Sequence, residues 1–311
     1  MTMNNNDLPA KEFRCGFIAV VGRPNVGKST LINALLGQKI AAVSPRPQTT
    51  RQRQLGILTL ENAQIIFIDT PGIHIPHHML GRAMNAVAAE ALQEADAIVW
   101  IVDTSEPPTE EDHLIAQQLK KLQSAPAIIL ALNKIDLTEG DRLAERQMEF
   151  AQLFKSAHPI EISAKSGYGI EELKQTLITH LPVGEALFAP DQVTDLYERQ
   201  IAADLIRESA LIHLRDEVPH ALTVRVDEYR ERDEKGAYIS ATLFIEKESQ
   251  KGIVIGHGGE MLKKIGTAAR QSIEEMSGRK IFLDLRVKVN KNWRNNIQVL
   301  KKMGYEIDEE G

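Results

Sequence analysis

Apolar residues run along this chain in two rhythms. Nearly unbroken apolar runs at 17–21, 64–68, 97–102, 127–132 and 160–162 alternate with segments of helical spacing at 30–36, 82–95, 139–153 and 169–180, and a further helix starts at Thr109-Glu110-Glu111-Asp112. A strand apolar on both faces is covered on both. Strand–helix alternation of this kind predicts a mostly parallel α/β sheet between helical layers. A strand at 56–60 turns through Glu61-Asn62-Ala63 into the run at 64–68. Pro182-Val183-Gly184 then stops the last helix, and the pattern changes. A long amphipathic helix at 194–214 precedes two alternating strands, 221–229 and 237–247, joined by a charged turn at 231–236. A glycine-rich stretch, a helix at 260–276 and a strand at 280–289 follow, the strand with Ile281, Leu283, Leu285, Val287 and Val289 on one face. The expected organisation is a frayed tail at 1–12, an α/β domain at 13–182, a linker at 183–192, an α+β domain at 193–305 and an acidic tail at 306–311.

Composition narrows the class. The 311 residues, 43% hydrophobic and 26% charged, fit two ordinary globular domains. No apolar run reaches the ~18 residues of a membrane span, and residues 1–12 lack the apolar region of a secretory leader. A single cysteine, Cys15, allows no internal disulfide and suits a reducing cytoplasm. The net charge of −6 excludes a uniformly basic nucleic-acid coat. Arg279, Lys280, Arg286, Lys288, Lys291, Arg294, Lys301 and Lys302 nevertheless crowd the last quarter against Asp284, which points there for an anionic partner.

The first apolar run opens into Gly22-Arg23-Pro24-Asn25-Val26-Gly27-Lys28-Ser29, with Thr30 entering the next helix. This is the G-x-x-x-x-G-K-S spacing of a P-loop at a strand–turn–helix junction. Gly22 and Gly27 permit the tight turn that aims the N–H groups from Gly22 to Thr30 at phosphate oxygens. Lys28 reaches the β- and γ-phosphates, and the Ser29 hydroxyl suits Mg²⁺. The proline-interrupted loop from Ser44 to Arg53 occupies the place of a γ-phosphate sensor. Thr50 is preferred there as a Mg²⁺ ligand, with Thr49 left open. Asp69-Thr70-Pro71-Gly72 supplies an acidic strand end for the metal and a bare N–H for the γ-phosphate. Lys28, Thr50 and Gly72 are therefore the candidate catalytic residues, and Ser29, Thr50 and Asp69 the candidate metal ligands. His74, His77 and His78 lack ligand spacing and read as a polar loop.

Asn133-Lys134-Ile135-Asp136 ends a later strand, and Ser163-Ala164-Lys165 ends the one after it. The Asp136 carboxylate can accept from the ring N–H and amine of guanine, a donor pair that adenine lacks. The Lys134 stem can cover the base, Asn133 can tie its loop to the phosphate loop, and the Ala164 N–H can donate to the guanine carbonyl. Ile73 stands where signalling GTPases carry a water-orienting glutamine, so slow hydrolysis is expected. None of Arg46, Arg51 and Arg53 can be assigned as an arginine finger.

With these four elements in order, residues 16–180 resemble the translation-factor-type GTPases. The sequences Gly22-Arg23-Pro24-Asn25-Val26-Gly27-Lys28-Ser29, Gln48-Thr49-Thr50-Arg51 and Asp69-Thr70-Pro71-Gly72 resemble the Era-like family, though tRNA-modifying and large-subunit-assembly GTPases share them. In this group the position of Asn25 is implicated in holding K⁺; a loop-stabilising hydrogen bond is the other reading. The order α-β-β-α-α-β, with Gly256-His257-Gly258-Gly259 between two helices, resembles a type II KH domain. A G-x-x-G loop lets nucleotide phosphates approach the backbone while bases enter an apolar groove. Ile253, Val254 and Ile255 are candidate groove residues. Lys251, Lys263, Lys264, Arg270 and Lys288 are candidate phosphate contacts.

A KH domain directly after such a GTPase domain is the Era-like arrangement, and the resemblance spans about 13–305. It implies a GTP/GDP- and Mg²⁺-binding, GTP-hydrolysing switch that assists small (30S) ribosomal subunit assembly. It also implies small-subunit ribosomal RNA, near its 3′ end, as partner, with a cytoplasmic monomer in peripheral contact with the inner membrane. A tRNA-modifying or large-subunit GTPase would carry an extra helical domain or a second P-loop, and the sequence has neither. A constitutive RNA-binding module with a structural nucleotide is the alternative of another class.

Overall fold

The computed structural model describes residues 12–39, 41–42, 50–122, 126–155, 159–195, 198–233, 236–305 and 307. The first half is a six-stranded sheet built from β1 (Arg14–Val21), β2 (Gln54–Thr59), β3 (Ala63–Asp69), β4 (Ala97–Asp103), β5 (Ala127–Asn133) and β6 (Pro159–Glu161), in the order β2-β3-β1-β4-β5-β6. All neighbours are parallel except the β2–β3 hairpin at the edge. Helices α1 (Lys28–Leu36), α2 (Met79–Glu94), α3 (Glu110–Lys120), α4 (Gly140–Leu153) and α5 (Ile170–His180) cover both faces. Alternate residues of the central strands go to opposite cores. Ile18, Val20, Val99 and Ile101 pack with Leu31, Ile32, Leu173 and Leu177 from α1 and α5. Ala19, Val21, Ile98 and Trp100 pack with Leu92, Ile115 and Phe150 from α2, α3 and α4. Burying each such side chain contributes about 1.5–3 kcal/mol, which fixes the register against a one-residue slip. Because β1, β3, β4 and β5 run in parallel, the phosphate loop, Asp69, Asp103 and Asn133 all emerge at one rim.

The second half is a mixed sheet, β7 (Thr223–Asp233), β8 (Gly236–Ile245) and β9 (Lys280–Val289), with β7–β8 antiparallel and β8–β9 parallel. One face carries α6 (Glu198–His213) and α8 (Glu260–Ser277), which seat Leu205, Ile206, Ile265, Ala269 and Ile273 on Ile239, Ala241 and Leu243. The short α7 (Glu248–Ile255) precedes the glycine-rich loop, and α9 (Ile297–Lys302) ends the fold.

Two stretches differ from expectation. Helix α6 begins at Glu198 rather than 194, because Val193 to Asp195 extend the free edge of β2. Ile57 N–H donates to Val193 O, Leu55 N–H to Asp195 Oδ1, and Gly56 pairs with Thr194. Strand β7 runs on to Asp233 through most of the expected charged turn. The segment between the halves is also held down. Buried Gln64 accepts from the N–H groups of Leu187 and Phe188 through Oε1 and donates to Phe188 O through Nε2.

The halves meet at a small apolar core. Leu80 and Met84 of α2 pack with Trp293, Leu300 of α9 and Tyr305. Trp293 is fully buried, and its Nε1–H donates to Ala221 O at 2.8 Å.

Candidate nucleotide site and nucleic-acid cleft

The phosphate loop is held open by its backbone. Asn25 and Gly27 have φ of 65° and 106°, left-handed conformations that Asn and Gly adopt most readily. A Cβ on Gly22 would lie 2.5 Å from Ile101 O, and one on Gly72 would lie 2.8 Å from Pro24 N. Both positions therefore demand glycine, and Gly72 lies against the loop where its motif needs it. Lys28 Nζ donates to Gly22 O and Arg23 O at 3.0 and 2.9 Å. Burial pushes its pKa down to about 8, partly offset by Asp69 and reinforced by Arg23. It is a cation short of counter-charge, which phosphate oxygens would supply.

Ser29, Thr50 and Asp69 converge. The Ser29 and Thr50 hydroxyls are 2.9 Å apart, and each donates to Asp69 Oδ2 at 3.0 Å. Thr49 lies outside the described residues. Burial raises the Asp69 pKa to about 6 against the opposing pull of Lys28, Thr50 and Ser29, and its Oδ1 is buried with no hydrogen-bond partner. Two hydroxyls and a carboxylate with an orphaned oxygen are a hard, all-oxygen donor set that fits Mg²⁺. Bound there, the ion would neutralise charge on the terminal phosphates.

The candidate base-recognition residues form one network. Asn133 Nδ2 donates to Val26 O at 2.7 Å, tying this loop to the phosphate loop as expected. Ser163 Oγ donates to Asp136 Oδ1 at 2.7 Å and orients that carboxylate. Lys134, at φ 68°, ion-pairs with Asp103. One expectation changes: the Ala164 N–H donates to Asn133 Oδ1 at 2.9 Å, because the buried Asn133 amide needs partners at both ends. Lys165 is exposed beside it.

Sequence reasoning missed three features. Buried Arg23 of the phosphate loop pairs with Asp112, Glu106 and Asp103, and Asp112 also caps α3 by accepting from Thr109 N–H. The acidic first turn of α3 was legible; its counter-ion was not. His74, expected in a polar loop, is buried with Nδ1 2.9 Å from Gly72 O and braces the Asp69–Gly72 turn. Arg51, adjacent to Thr50, leaves the nucleotide site altogether. It donates to Leu222 O at 2.9 Å and His220 O at 3.3 Å, and its guanidinium carbon lies 5.6 Å from the Trp293 ring centroid. Burial, with the like charge of Arg207, lowers its pKa to about 9.

In the second half, Gly256, Gly258 and Gly259 all have positive φ, and a shallow cleft beside them is lined by Gly259, Leu262, Lys263, Arg270, Leu283 and Leu285. Gly256, His257, Gly258 and Lys264 adjoin its lining residues in sequence, and His257, Gly258 and Lys264 are exposed. Three expectations need correction. Val254 is fully buried in the core, and the neighbouring Ile253 and Ile255 are absent from the lining. Lys288 lies on the other face of β9, since Leu283 and Leu285 alternate with it. The arginines of the C-terminal basic group are paired: Arg279 with Glu231 and Glu198, Arg286 with Asp284, and Arg294 with Glu246.

This geometry defines a class, a P-loop GTPase joined to a KH domain. Residues 17–134 match the family of 50S ribosome-binding GTPases, and residues 217–294 match the KH domain family. GTPase Era of Caldanaerobacter subterraneus subsp. tengcongensis is 45% identical over 297 residues, covering 95% of this chain and 99% of that protein. GTPase Era of Geotalea uraniireducens is 44% identical over 299 residues, covering 96% and 100%. A crystal structure of Era in complex with MgGDPNP and nucleotides 1506–1542 of 16S ribosomal RNA superposes with a TM-score of 0.90 at 38% identity, covering 95% of this chain and all of that one. Aquifex aeolicus Era Y63A bound to GDP·AlF4⁻ gives 0.89 at the same identity and coverage. The chain belongs to the Era family of GTPases.

Read as the guanine acceptor, Asp136 loses one of its two accepting oxygens to an NH₂ donor on replacement by Asn, and can no longer satisfy both guanine donors. GTP affinity falls by about 10²- to 10⁴-fold while xanthosine triphosphate affinity rises. Competition binding with the two nucleotides checks this, and unchanged GTP affinity would refute the base-recognition role.

Proposed function

We propose that this protein is a GTP-hydrolysing switch on small-subunit ribosomal RNA that assists 30S assembly, holding RNA near the 3′ end in its KH cleft. Family membership supports the GTPase half, and the RNA-bound Era structure, matched at 38% identity, supports the RNA half. The observation that carries the coupling is the adjacency of Thr50 and Arg51. Thr50 joins Ser29 and Asp69 at the candidate metal site, while the next side chain is anchored on the KH side. Met79 N–H donates to Asn295 Oδ1 at 3.1 Å, so the helix after Gly72 touches the same region. Nucleotide-dependent movement of either segment shifts the KH domain and access to its cleft.

The assigned roles are Lys28, Thr50 and Gly72 at the terminal phosphate. Gly22, Pro24, Asn25, Val26, Gly27 and Thr30 form the rest of the cradle. Asn133, Lys134, Asp136, Ser163, Ala164 and Lys165 surround the base, and Ser29, Thr50 and Asp69 hold Mg²⁺. RNA meets the Gly256–Gly259 loop, Lys263, Lys264 and Arg270. The GTPase unit spans 13–182 and the KH unit 193–305, with a docked connector between them, and the protein works as a monomer in the cytoplasm.

RNA affinity measured empty, with GDP and with a non-hydrolysable GTP analogue differs between states by about 5- to 150-fold in the natural protein. Arg51→Ala brings that ratio close to one while leaving GDP affinity within about threefold. Equal RNA affinity in all states of the natural protein would leave two uncoupled sites. Asn25, exposed at the tip of the phosphate loop, supports a K⁺ role carried over from the family. Hydrolysis is then faster in KCl than in NaCl, and Asn25→Ala abolishes the difference; equal rates in both salts remove the role. Among the described residues no helix is long and apolar enough to cross a membrane. The inner-membrane contact implied by the family is accordingly peripheral, and co-flotation with anionic vesicles, reversed by high salt, tests it.

A further inference from the structure

The face of the KH sheet turned away from its helices carries an aromatic platform. Along β8 and β9 the inward residues Ile239, Ala241, Leu243, Ile281, Leu283 and Leu285 contribute to the apolar core. The alternating outward set includes Tyr238 on β8 and Phe282 on β9, which are register partners. Their rings stack with centroids 5.7 Å apart and an interplanar angle of 21°. Phe282 is 61% exposed, one of the most exposed large apolar side chains described. Arg230 pairs in register with Tyr238, so a guanidinium and two aromatic residues line up across the sheet.

The same face has a charge pattern suited to a phosphodiester chain. Exposed Lys280 and Lys288 stand at the two ends of the outward row of β9, about 26 Å apart along the strand. The arginines on this face, Arg225, Arg230 and Arg286, each pair with a carboxylate two residues away on their own strand, Asp227, Glu228 and Asp284. Such exposed pairs are worth at most about 1 kcal/mol and exchange readily for a phosphate. Strand β9 is also an edge of its sheet. Leu283 and Leu285 on its inward side line the G-x-x-G cleft, while Phe282 and Lys288 lie on its outward side. A strand of RNA leaving the cleft over this free edge arrives at the aromatic pair.

We propose that the outward sheet face is a second single-stranded RNA surface, on which an unpaired base stacks against Phe282 and Tyr238 while Lys280 meets a flanking phosphate and Lys288, six residues beyond Phe282 on the strand, meets one further along the RNA. Stacked aromatics at an exposed sheet edge, bordered by cations, are what unpaired bases require, and no base-edge recognition is needed. The inference rests on reading the second half as an RNA-binding module, and it extends the bound segment beyond the roughly four nucleotides a KH cleft clamps.

The test uses the full chain and two RNAs from the 3′ end of small-subunit ribosomal RNA, of about six and about sixteen nucleotides, sized to the cleft alone and to both surfaces. Phe282→Ala weakens the longer RNA by about 5- to 100-fold and leaves the shorter within about twofold. Phe282→Trp keeps the affinity, and its new indole is quenched by the longer RNA only. Lys280→Ala with Lys288→Ala flattens the salt dependence for the longer RNA by about 1.4 in log–log slope. Gly258→Asp, which sets a carboxylate on the cleft loop, abolishes binding of the shorter RNA. If Phe282→Ala weakens both RNAs equally, or neither, the proposal is overturned. Self-association that Phe282→Ala abolishes, with longer-RNA affinity unchanged, overturns it in favour of a second copy on this face. If Gly258→Asp leaves the shorter RNA bound while Phe282→Ala still selectively weakens the longer, the cleft assignment falls and the platform stands.

Discussion

The structure turns on the peptide between Thr50 and Arg51. Consecutive Cα atoms are fixed about 3.8 Å apart, so these two residues cannot be repositioned independently. One side chain sits with Ser29 and Asp69 at the rim of the GTPase sheet, and the other is 4% exposed among carbonyls of the opposite half. Trp293 makes the far anchor rigid. It is buried against Leu80 and Met84 of α2, held by a hydrogen bond to Ala221 O, and stacked on Arg51. A tryptophan so placed is worth about 3–5 kcal/mol to the packing around it. The segment after Gly72 meets that post through α2, and the Thr50 segment meets it through Arg51. The Thr50 and Gly72 stretches thus converge on one side chain outside the candidate nucleotide site.

The charges along this path are under-compensated in a way that favours exchange. Burial holds Lys28 down at about 8 and Asp69 up at about 6, and nucleotide phosphates and a divalent cation would each supply the charge that is lacking. Arg51 is held differently. Its hydrogen bonds go to two backbone carbonyls and the Tyr305 hydroxyl, and its cation faces an aromatic ring. A buried salt bridge broken at one end strands its partner charge at a cost of several kcal/mol. Carbonyls and an aromatic face can be re-solvated at lower cost, which suits a contact that must form and release.

The nucleotide site was legible because its chemistry is local. The spacing from Gly22 to Ser29, the turn from Asp69 to Gly72 and the run from Asn133 to Asp136 each constrain a few consecutive residues, and strand–helix alternation places their ends on one rim. What was not legible depends on partners far away in sequence. Arg51 bonds residues about 170 positions on, and Gln52 Nε2 donates to Met303 O, 251 positions away. No local pattern marks Trp293 as their meeting point. The C-terminal arginines looked uncompensated for the same reason, because Glu198, Glu231 and Glu246 lie on other elements. The bond from the Ala164 N–H to Asn133 Oδ1 was not legible because motif reasoning counts a ligand's demands and omits those of Asn133.

The arginines near the phosphates bear on how long such a switch stays on. Arg23 is committed to Asp112 and Glu106, Arg51 to the KH side, and Arg53 to Glu94. Ile73 has its side chain fully buried and its N–H donated to Gly22 O, so it offers nothing to orient water. Among the described residues no side chain remains in place to stabilise charge developing on a leaving phosphate beyond Lys28, the hydroxyls and the loop amides. Arg51, anchored on the Leu222 and His220 carbonyls, is one residue from Thr50, so a shift of those carbonyls is transmitted along the backbone to the candidate metal site.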